Sequence, residues 1–255
     1  MSSATNPIIE QLLAHRSIRQ FKDKTLTNHQ IHELIEAAQH ASTSTFSQQY
    51  SIISVTDQRI LSEFAEITGH PWLLKSGHYF VMIADQYRNL QIARKANADP
   101  FVLHTTDKFL AAVFDASIAT ENVMVAAESM GLGATIMGSI LNDSKRVIDL
   151  LGLPELTFPL LGIAIGYPAD QPELKPRLPQ EEVHFVNQYQ LPSDKTQLKQ
   201  YDQVLSDYYR SRGSNNRVET FSHHIVSELG IGHHVRADLL SNIKSQGFLI
   251  SQAED

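Results

Sequence analysis

The stretch TDKFLAAVFDASIATENVMVAAESMGLGATIMGSI, residues 106–140, decides the fold. From about Thr106 to Met130 the residues are rich in alanine and apolar on more than one side, which predicts a long helix buried at the centre of the protein. Gly131 is a typical helix stop. The run from Ala134 to Ile140 then predicts a strand, so the longest helix leads directly into the sheet.

Apolar runs outside this stretch predict three more strands. They cover Tyr50 to Val55, His78 to Ala84 and Phe158 to Ile165, and each has the length of an ordinary strand. Helical segments lie between them without regular β–α–β alternation. The sequence therefore predicts an α+β fold rather than a doubly wound parallel sheet.

Capping residues mark where several helices begin. The signals are Asn6 before Pro7, Thr27 with Gln30, Asp57 before a helix through Ile67, and Asp143 or Ser144 before a helix that ends at Gly152. The first helix is predicted to end near His15 and to turn its apolar side chains inward: Ile8, Ile9, Leu12 and Leu13. Residues 85–99 are polar, and we expect them to be irregular.

The composition changes after Gly166. Residues 167–192 are rich in proline, which predicts an extended segment on the surface. Helical patterning returns at Leu198 to Tyr209 and at Ala237 to Ile243. We therefore expect a core over residues 1–190 and a helical extension over 191–255 that packs on the core rather than folding independently.

Composition narrows the possible functions. The chain has 255 residues, of which 42% are hydrophobic and 19% charged, so a packed core is expected. It has no cysteine, which excludes disulfides and a cysteine nucleophile. No run of 18 apolar residues and no secretory signal is visible, so we expect a cytoplasmic protein without a membrane span. The net charge of −7 makes nucleic acid an unexpected partner.

The segment His15-Arg16-Ser17-Ile18-Arg19 is the densest cluster of cations in this acidic chain. The planar fork of arginine matches phosphate oxygens, and serine adds a donor. An extended backbone would place His15, Ser17 and Arg19 on one side. The alternative is a solvated helix end whose cations complement the helix dipole.

Two other basic segments could meet a phosphate. In Lys175-Pro176-Arg177 the proline fixes the backbone and aims both cations, although a plain surface turn has the same pattern. The segment Arg210 to Arg217 is a basic loop that could receive a phosphate. Its alternative interpretation is a solvated surface loop.

Two uncharged segments could contact a flat or polar group. The glycines from Gly131 to Ser139 allow close approach of the backbone to a ligand, or they form a helix cap followed by a bend. Because this segment follows a helix instead of preceding one, a Rossmann site is not predicted. The hydroxyls from Ser42 to Thr45 could bind the edge of a heterocycle, or they belong to an ordinary loop.

A metal site is not expected. The pairs His223-His224 and His233-His234 consist of adjacent residues, which do not share a helix face, and no H-E-x-x-H motif is present.

Together these segments resemble the oxygen-insensitive NADPH nitroreductase and NADPH-flavin oxidoreductase family. The matching pieces are HRSIRQF at 15–21, ASTSTFSQ at 41–48, AAESMGLGATIMGSI at 126–140, LKPRLP at 174–179 and SRGSNNR at 211–217. The similarity extends from about residue 6 to residue 248. Several places depart from the family pattern: Thr43 and Thr45 interrupt a run of serines, the stretch around 85–105 is longer than usual, and two further positions differ. Gly138-Ser139 stands in place of paired glycines, and His70-Pro71-Trp72 stands where a glutamine often meets the flavin.

The resemblance implies a mostly antiparallel sheet flanked by helices, and an intertwined homodimer with two FMN molecules at its interface. It assigns to FMN the residues His15, Arg16, Ser17, Arg19, Lys175 and Arg177 at its phosphate and polar pole, and Ile136, Met137, Gly138 and Ser139 along its ring. Hydroxyls of Thr43, Ser44 and Thr45 would reach the flavin from the partner subunit. Arg212 and Arg217 would select NADPH through its extra phosphate, and Arg236 would lie near the substrate pocket.

The implied activity is a ping-pong transfer of two electrons from NADPH to nitroaromatics, quinones, azo compounds or free flavin. Flavin chemistry needs no side-chain nucleophile and no metal ligand, which agrees with the absence of a recognisable catalytic triad. Two alternatives stay open. One is a flavin reductase that supplies reduced FMN to a partner, and the other is a non-catalytic flavin-binding sensor.

Overall fold

A four-stranded antiparallel sheet forms the centre of the protein. The computed structural model describes residues 6–212, 216–230 and 236–251. The strands are β1 (Tyr50–Val55), β2 (His78–Asp85), β3 (Gly133–Met137) and β4 (Thr157–Gly166), in the order β1-β2-β4-β3. Every pairing is antiparallel. The predicted α+β fold with a mostly antiparallel sheet is confirmed.

Helices make up much of the rest of the described chain. They are α1 (Pro7–Leu13), α2 (Asn28–Gln39), α3 (Gln58–Thr68), α4 (Tyr87–Lys95), α5 (Thr106–Ser129), α6 (Ser144–Leu151), α7 (Thr196–Ser211), α8 (Phe221–Gly230) and α9 (Leu239–Ser245). Short 3₁₀ helices cover Ser44–Phe46, Pro71–Lys75, Phe101–His104, Gly138–Asp143 and Gln180–Glu182. The predicted caps are present, since Asn6, Thr27, Asp57 and Asp143 each accept a backbone N–H of the helix they precede.

The chain divides into two compact units. The first contains the chain through Pro172 and the residues from Arg236 onward, and the second contains Glu173–Val235. In the first unit the C-terminal segment joins the core, where Phe248 is fully buried and its ring lies 4.9 Å from that of Phe109. In the second unit α7 and α8 are linked through Asp202, which accepts the Ser222 N–H at 2.8 Å. The domain boundary expected at residue 190 stays a prediction.

Helix α5 is the core helix of the first unit. Its alanine-rich face is buried and includes Ala112, Ala116 and Ala119. The helix is long and apolar enough to cross a membrane, but half of its most apolar stretch is buried inside the protein, as expected of a core helix. The prediction of burial is right for this face only. The stripe of Leu110, Phe114 and Ile118 is exposed in the described chain.

Two further predictions about elements are wrong, and one helix was not predicted. Strand β3 ends at Met137 rather than Ile140, because its pairing with β4 stops there and the next residues form a 3₁₀ helix that buries Ile140. Residues 85–99 are not irregular but contain α4, where only Leu90 is buried, so the periodic apolar signal is weak. Helix α8 was not predicted; none of its described side chains is buried, so it too gives a weak pattern.

The predicted orientation of α1 is also wrong. Ile8, Ile9, Leu12 and Leu13 are all exposed, and no α1 side chain is buried in the described chain. The helix is attached to α5 by a polar contact, in which Gln11 Nε2 donates to the Val125 carbonyl at 2.6 Å. The apolar residues therefore have no surface to cover within a single chain.

A buried histidine at the start of β2 makes stability depend on pH. Burial lowers the pKa of His78 to about 4, and its ring packs edge-on against Phe80 at 4.5 Å between centroids. An unfolded histidine titrates near pH ~6.5, so between about pH 6.5 and 4 the unfolded chain binds more protons than the folded one. The stability is complete above this window and falls as the pH decreases through it.

We expect the protein to lose about 2 kcal/mol of unfolding free energy between pH 7.5 and pH 4.5 through this histidine alone. Urea unfolding at both pH values measures the loss. The variant His78→Gln cannot titrate there and should show a correspondingly smaller difference. An equal difference in the variant and the wild type would exclude His78 as the source.

Candidate functional site

The cation cluster at residues 15–19 lies along the edge of the sheet. Ser17 forms a parallel bridge with Ala134 of β3, and the Ile18 N–H donates to the Ala134 carbonyl at 3.0 Å. The Thr135 hydroxyl donates to the Ile18 carbonyl. Ile18 is buried, so its neighbours Ser17 and Arg19 project away from the core. The segment is therefore an extended strand-like piece rather than a helix end.

A glycine permits this close approach. A Cβ placed on Gly133 would lie 2.7 Å from Cβ of Ile18, a distance that real side chains do not reach. Gly131 has a φ of +71° and ends the long helix. These two glycines serve chain packing and capping, as the alternative interpretation of the segment proposed. Gly138 differs, because a Cβ there would meet nothing within 4 Å.

The three basic residues of the cluster differ in their contacts within the protein. His15 Nδ1 pairs with Glu128 Oε1 at 2.6 Å. Arg16 donates to two carbonyls, those of Pro172 and Ala14, both at 2.7 Å. Arg19 is exposed and makes no hydrogen bond or ion pair with any residue of the described chain. Of the three, Arg19 has its donors available for an anion.

Arg16 also lines a cavity of about 590 Å³ together with Lys22 and the backbone of the Gly131–Gly133 turn. Among the described residues, neither Ser17 nor Arg19 contributes to its lining. The structure thus separates Arg16 from the other two residues that sequence analysis grouped with it. Its role toward a ligand stays a prediction.

The predicted hydroxyl segment is a strained loop. Thr45 and Phe46 have φ values of +50° and +56°, and Gln48 has +47°, although none of them is glycine. The Thr43 hydroxyl accepts the Gln48 N–H at 3.0 Å, which closes the loop on itself. Phe46 at its tip is 79% exposed. The Thr45 hydroxyl donates to the Ser44 carbonyl at 2.8 Å, so bonds within the loop fix these hydroxyls while the Phe46 ring is exposed.

A buried carboxylate on α5 holds this loop. Asp115 is 1% exposed, and its Oδ1 accepts the Ser44 N–H at 2.7 Å. Its Oδ2 accepts the Gln49 N–H at 3.0 Å. No cation pairs with Asp115 in the described chain, and its hydrogen-bond partners are N–H groups of Ser44 and Gln49. Sequence analysis missed this residue; the signal was a single acid on the buried face of an otherwise apolar helix.

The segment Ile136 to Ser139 leaves the sheet beside the cluster. Ile136 pairs with Ile163 as the penultimate residue of β3, and Met137 is buried. The backbone then turns into the 3₁₀ helix at Gly138. The turn begins four residues after Ala134, the residue of β3 that forms the bridge to Ser17.

Arg236 is held at the far end of that 3₁₀ helix. Its Nε and Nη2 donate to Asn142 Oδ1 at 3.1 and 3.0 Å. Asn142 in turn donates to the Ile67 carbonyl at 3.2 Å. Arg236 has a φ of +63°, so its backbone is strained as well. The predicted substrate contact is thus positioned close to the segment predicted to follow the flavin ring.

The remaining predicted residues belong to the second unit. Lys175 Nζ lies 5.7 Å from the ring centroid of Tyr209, and Arg217 Cζ lies 4.1 Å from the same centroid. Arg177 donates to the Lys175 carbonyl at 3.2 Å. Arg212 lies 5.5 Å from the ring centroid of Tyr208. The part of the basic loop at residues 213–215 lies outside the described residues.

The histidine pairs show no sign of a metal centre where they can be described. His223 Nδ1 contacts Glu219 at 2.8 Å, and His233 and His234 lie outside the described residues. Over residues 6–212, 216–230 and 236–251, no group of three or more metal-ligating side chains converges.

Two family profiles match the chain. The profile described as "Nitroreductase family" matches residues 12–167, and "Nitroreductase family, C-terminal domain" matches residues 175–251. The chain belongs to the nitroreductase family. The resemblance inferred from the sequence is confirmed, and the two matches include every residue predicted to contact a cofactor or substrate.

Individual members of the nitroreductase family are similar over nearly their whole length. The FMN reductase (NADPH) of Bacillus subtilis is 40% identical over 247 residues, which cover 95% of this chain and 98% of the relative. The NfrA1 nitroreductase structure from B. subtilis is 39% identical with a TM-score of 0.90, over 95% of this chain and 99% of that one. The NADPH:FMN oxidoreductase from Vibrio harveyi, complexed with NAD+, is 34% identical with a TM-score of 0.85, over 96% and 100%.

Proposed function

We propose that this nitroreductase-family protein is an FMN-dependent oxidoreductase that passes two electrons from NADPH to small-molecule oxidants. The observation that carries the proposal is the pair of Ser17 and Arg19 at the sheet edge, where Arg19 is exposed and has no partner among the described residues. The predicted cofactor and donor agree with those of similar proteins, among them the FMN reductase (NADPH) of Bacillus subtilis and the NADPH:FMN oxidoreductase of Vibrio harveyi.

The residues present fit FMN. A phosphate dianion needs cations and hydroxyl donors, which Arg19 and Ser17 supply and which His15, Arg16, Lys175 and Arg177 would complete. The open side of Gly138 leaves room for a flat ring against the backbone from Ile136 to Ser139. When bound, FMN supplies the hydride chemistry, and the protein orients it and places positive charge near its polar pole.

Loss of Arg19 should weaken the hold on the cofactor. We expect Arg19→Ala to weaken FMN binding by about 1–3 kcal/mol, as the loss of a charge-assisted contact does. Fluorescence titration of the apoprotein with FMN measures the change. Lys22→Ala removes a nearby exposed cation and should leave the affinity nearly unchanged. If Arg19→Ala kept its full flavin through gel filtration, the assignment would fall.

The donor is NADPH in this proposal, with Arg212 and Arg217 contacting its extra phosphate. We expect Arg217→Ala to raise the KM for NADPH about tenfold while sparing the KM for NADH, because NADH lacks that phosphate. Arg210→Ala removes a charge from the last turn of α7, just before the loop, and serves as the control. Equal effects of Arg217→Ala on both donors would remove this residue as a phosphate contact.

Donor and acceptor use one open site in turn, so we propose ping-pong kinetics. Nitroaromatics, quinones, azo compounds and free flavin are the acceptor classes that fit. A flavin reductase that supplies reduced FMN to a partner is the alternative, and comparing turnover of free FMN with that of a nitroaromatic distinguishes the two. A non-catalytic flavin sensor would instead hold FMN that NADPH cannot reduce.

We further propose that the protein is a cytoplasmic homodimer. Four apolar residues of α1 and the stripe of Leu110, Phe114 and Ile118 on α5 are exposed in the single chain. A second copy would cover these faces, and its loop at Thr43 to Thr45 would complete the flavin site. Sedimentation equilibrium tests the assembly, and a mass of one chain would contradict it.

A further inference from the structure

The structure provides Arg217 with a rigid support. Its guanidinium lies 4.1 Å from the centroid of the Tyr209 ring. Its backbone N–H donates to the Tyr209 carbonyl at 3.4 Å. Side chain and main chain of Arg217 thus both contact the same residue of α7, across the loop whose middle lies outside the described residues.

Tyr209 itself is well fixed. It is 5% exposed, on the last turns of α7, and its ring packs edge-on against Tyr208 with 5.2 Å between centroids. An arginine over an aromatic face loses little of its hydrogen-bonding capacity, because the ring contacts the guanidinium plane and leaves the N–H edges outward. Stacking therefore fixes where the arginine is without consuming its donors.

The charges around Arg217 leave those donors available. Glu219 Oε2 approaches Arg217 Nε at 3.4 Å, but this pair does not have hydrogen-bond geometry. The side chain of Arg217 makes no hydrogen bond within the described chain. The Glu219 carboxylate on one side and the Tyr209 ring beneath restrict the movement of the Arg217 guanidinium. The two terminal NH2 groups of the guanidinium remain free to donate to a phosphate.

We propose that Tyr209 is the positioning residue that sets the preference for NADPH over NADH, by holding Arg217 where the extra phosphate of NADPH binds. This rests on the proposed function, in which Arg217 contacts that phosphate. Tyr209 does not touch the substrate in this account. It reduces the rotamer freedom that Arg217 would otherwise lose on binding.

The aromatic face of Tyr209, rather than its hydroxyl, holds Arg217 in this proposal. Tyr209→Phe should therefore behave as the wild type, and Tyr209→Met, which has a similar volume without a ring, should not. We expect Tyr209→Met to raise the KM for NADPH roughly five- to tenfold, with kcat and the KM for NADH unchanged. Steady-state kinetics of the FMN-saturated protein with each donor measures these values.

A binding readout that needs no turnover accompanies the kinetics. Calorimetric titration of the holoprotein with 2′,5′-ADP and with AMP measures the contribution of the extra phosphate. Tyr209→Met should lose affinity for 2′,5′-ADP by a similar factor and keep its affinity for AMP. Leu205→Ala removes another buried side chain from the same helix, so it controls for general loosening of α7.

The possible results distinguish the role of Tyr209 from the phosphate contact of Arg217. If Arg217→Ala changes the NADPH preference and Tyr209→Met does not, the role of Tyr209 is wrong while the phosphate contact stands. If Arg217→Ala affects both donors equally, the phosphate contact is wrong and the role of Tyr209 falls with it. A Tyr209→Phe variant as impaired as Tyr209→Met would also overturn the inference.

If Tyr209→Met does not fold, a variant that keeps the shape of the ring tests the same inference. Pentafluorophenylalanine at position 209 resembles phenylalanine in shape but reverses the charge distribution of the ring face. Its preference for NADPH should fall relative to Tyr209→Phe. An unchanged preference would contradict the stacking account.

Discussion

Gly162→Ala is expected to lower the free energy of unfolding by about 3 kcal/mol. A Cβ on Gly162 of β4 would lie 2.6 Å from Cζ of Tyr79 and closer still to its hydroxyl oxygen. The Tyr79 ring is fully buried and packs edge-on against Phe64 at 5.2 Å between centroids, so it has no space into which to move. The extra methyl group must therefore separate β2 from β4 or distort the core.

Urea unfolding of the FMN-free proteins measures this cost, and Gly138→Ala, also measured without FMN, provides the matched control. The same substitution at Gly138 meets nothing within 4 Å and should change stability by no more than about 0.5 kcal/mol. The Tyr79 hydroxyl has no hydrogen-bond partner among the described residues, so adding Tyr79→Phe should restore part of the loss. A Gly162→Ala protein as stable as the control would show that the two strands are not packed as described.

Asp115→Ala is expected to destabilise the protein by about 3 kcal/mol and to weaken FMN binding about tenfold. Removing the carboxylate leaves the N–H groups of Ser44 and Gln49 without their acceptor, and each unsatisfied buried donor costs about 1–3 kcal/mol. The positive φ values of Thr45, Phe46 and Gln48 need these bonds to persist. Without the hydrogen bonds to Asp115, the loop loses the conformation in which we propose that its hydroxyls contact the flavin.

Thermal unfolding and FMN titration, made on the same samples, test both parts. Asp115→Asn keeps one carbonyl acceptor and should show a smaller effect on each. Ser117→Ala, at an exposed position on the same helix, should show none. A destabilised Asp115→Ala protein with unchanged FMN affinity would mean that the loop does not serve the cofactor.

Local signals in the sequence predicted elements that depend on local chemistry. The capping residues Asn6, Thr27 and Asp57 form the expected bonds, because a cap needs only the three or four residues that follow it. The apolar runs predicted β1, β2 and β4 to within about two residues. Predictions failed for elements whose structure depends on packing against residues far away in the sequence. Ile140 is buried in a 3₁₀ helix rather than in a strand, and the apolar residues of α1 face outward.

The same division applies to the candidate site. The cations can be recognised in the sequence by their chemistry, but the residues that they contact are distant from them in sequence. Arg16 contacts the carbonyl of Pro172, and His15 contacts Glu128. Asp115 could not be linked to the hydroxyl loop without the fold, because the two are about seventy residues apart in sequence. Side-chain chemistry identified which groups are candidates, and only the structure shows which of them are free.

The most direct test of the account is an anaerobic visible spectrum of the purified protein, recorded before and after one equivalent of NADPH. We expect flavin bands near ~450 nm that bleach on addition of NADPH and return when a nitroaromatic or a quinone is added. That result would establish the cofactor and both half-reactions together. A protein that shows no flavin absorbance, even after incubation with FMN, would contradict the proposed function.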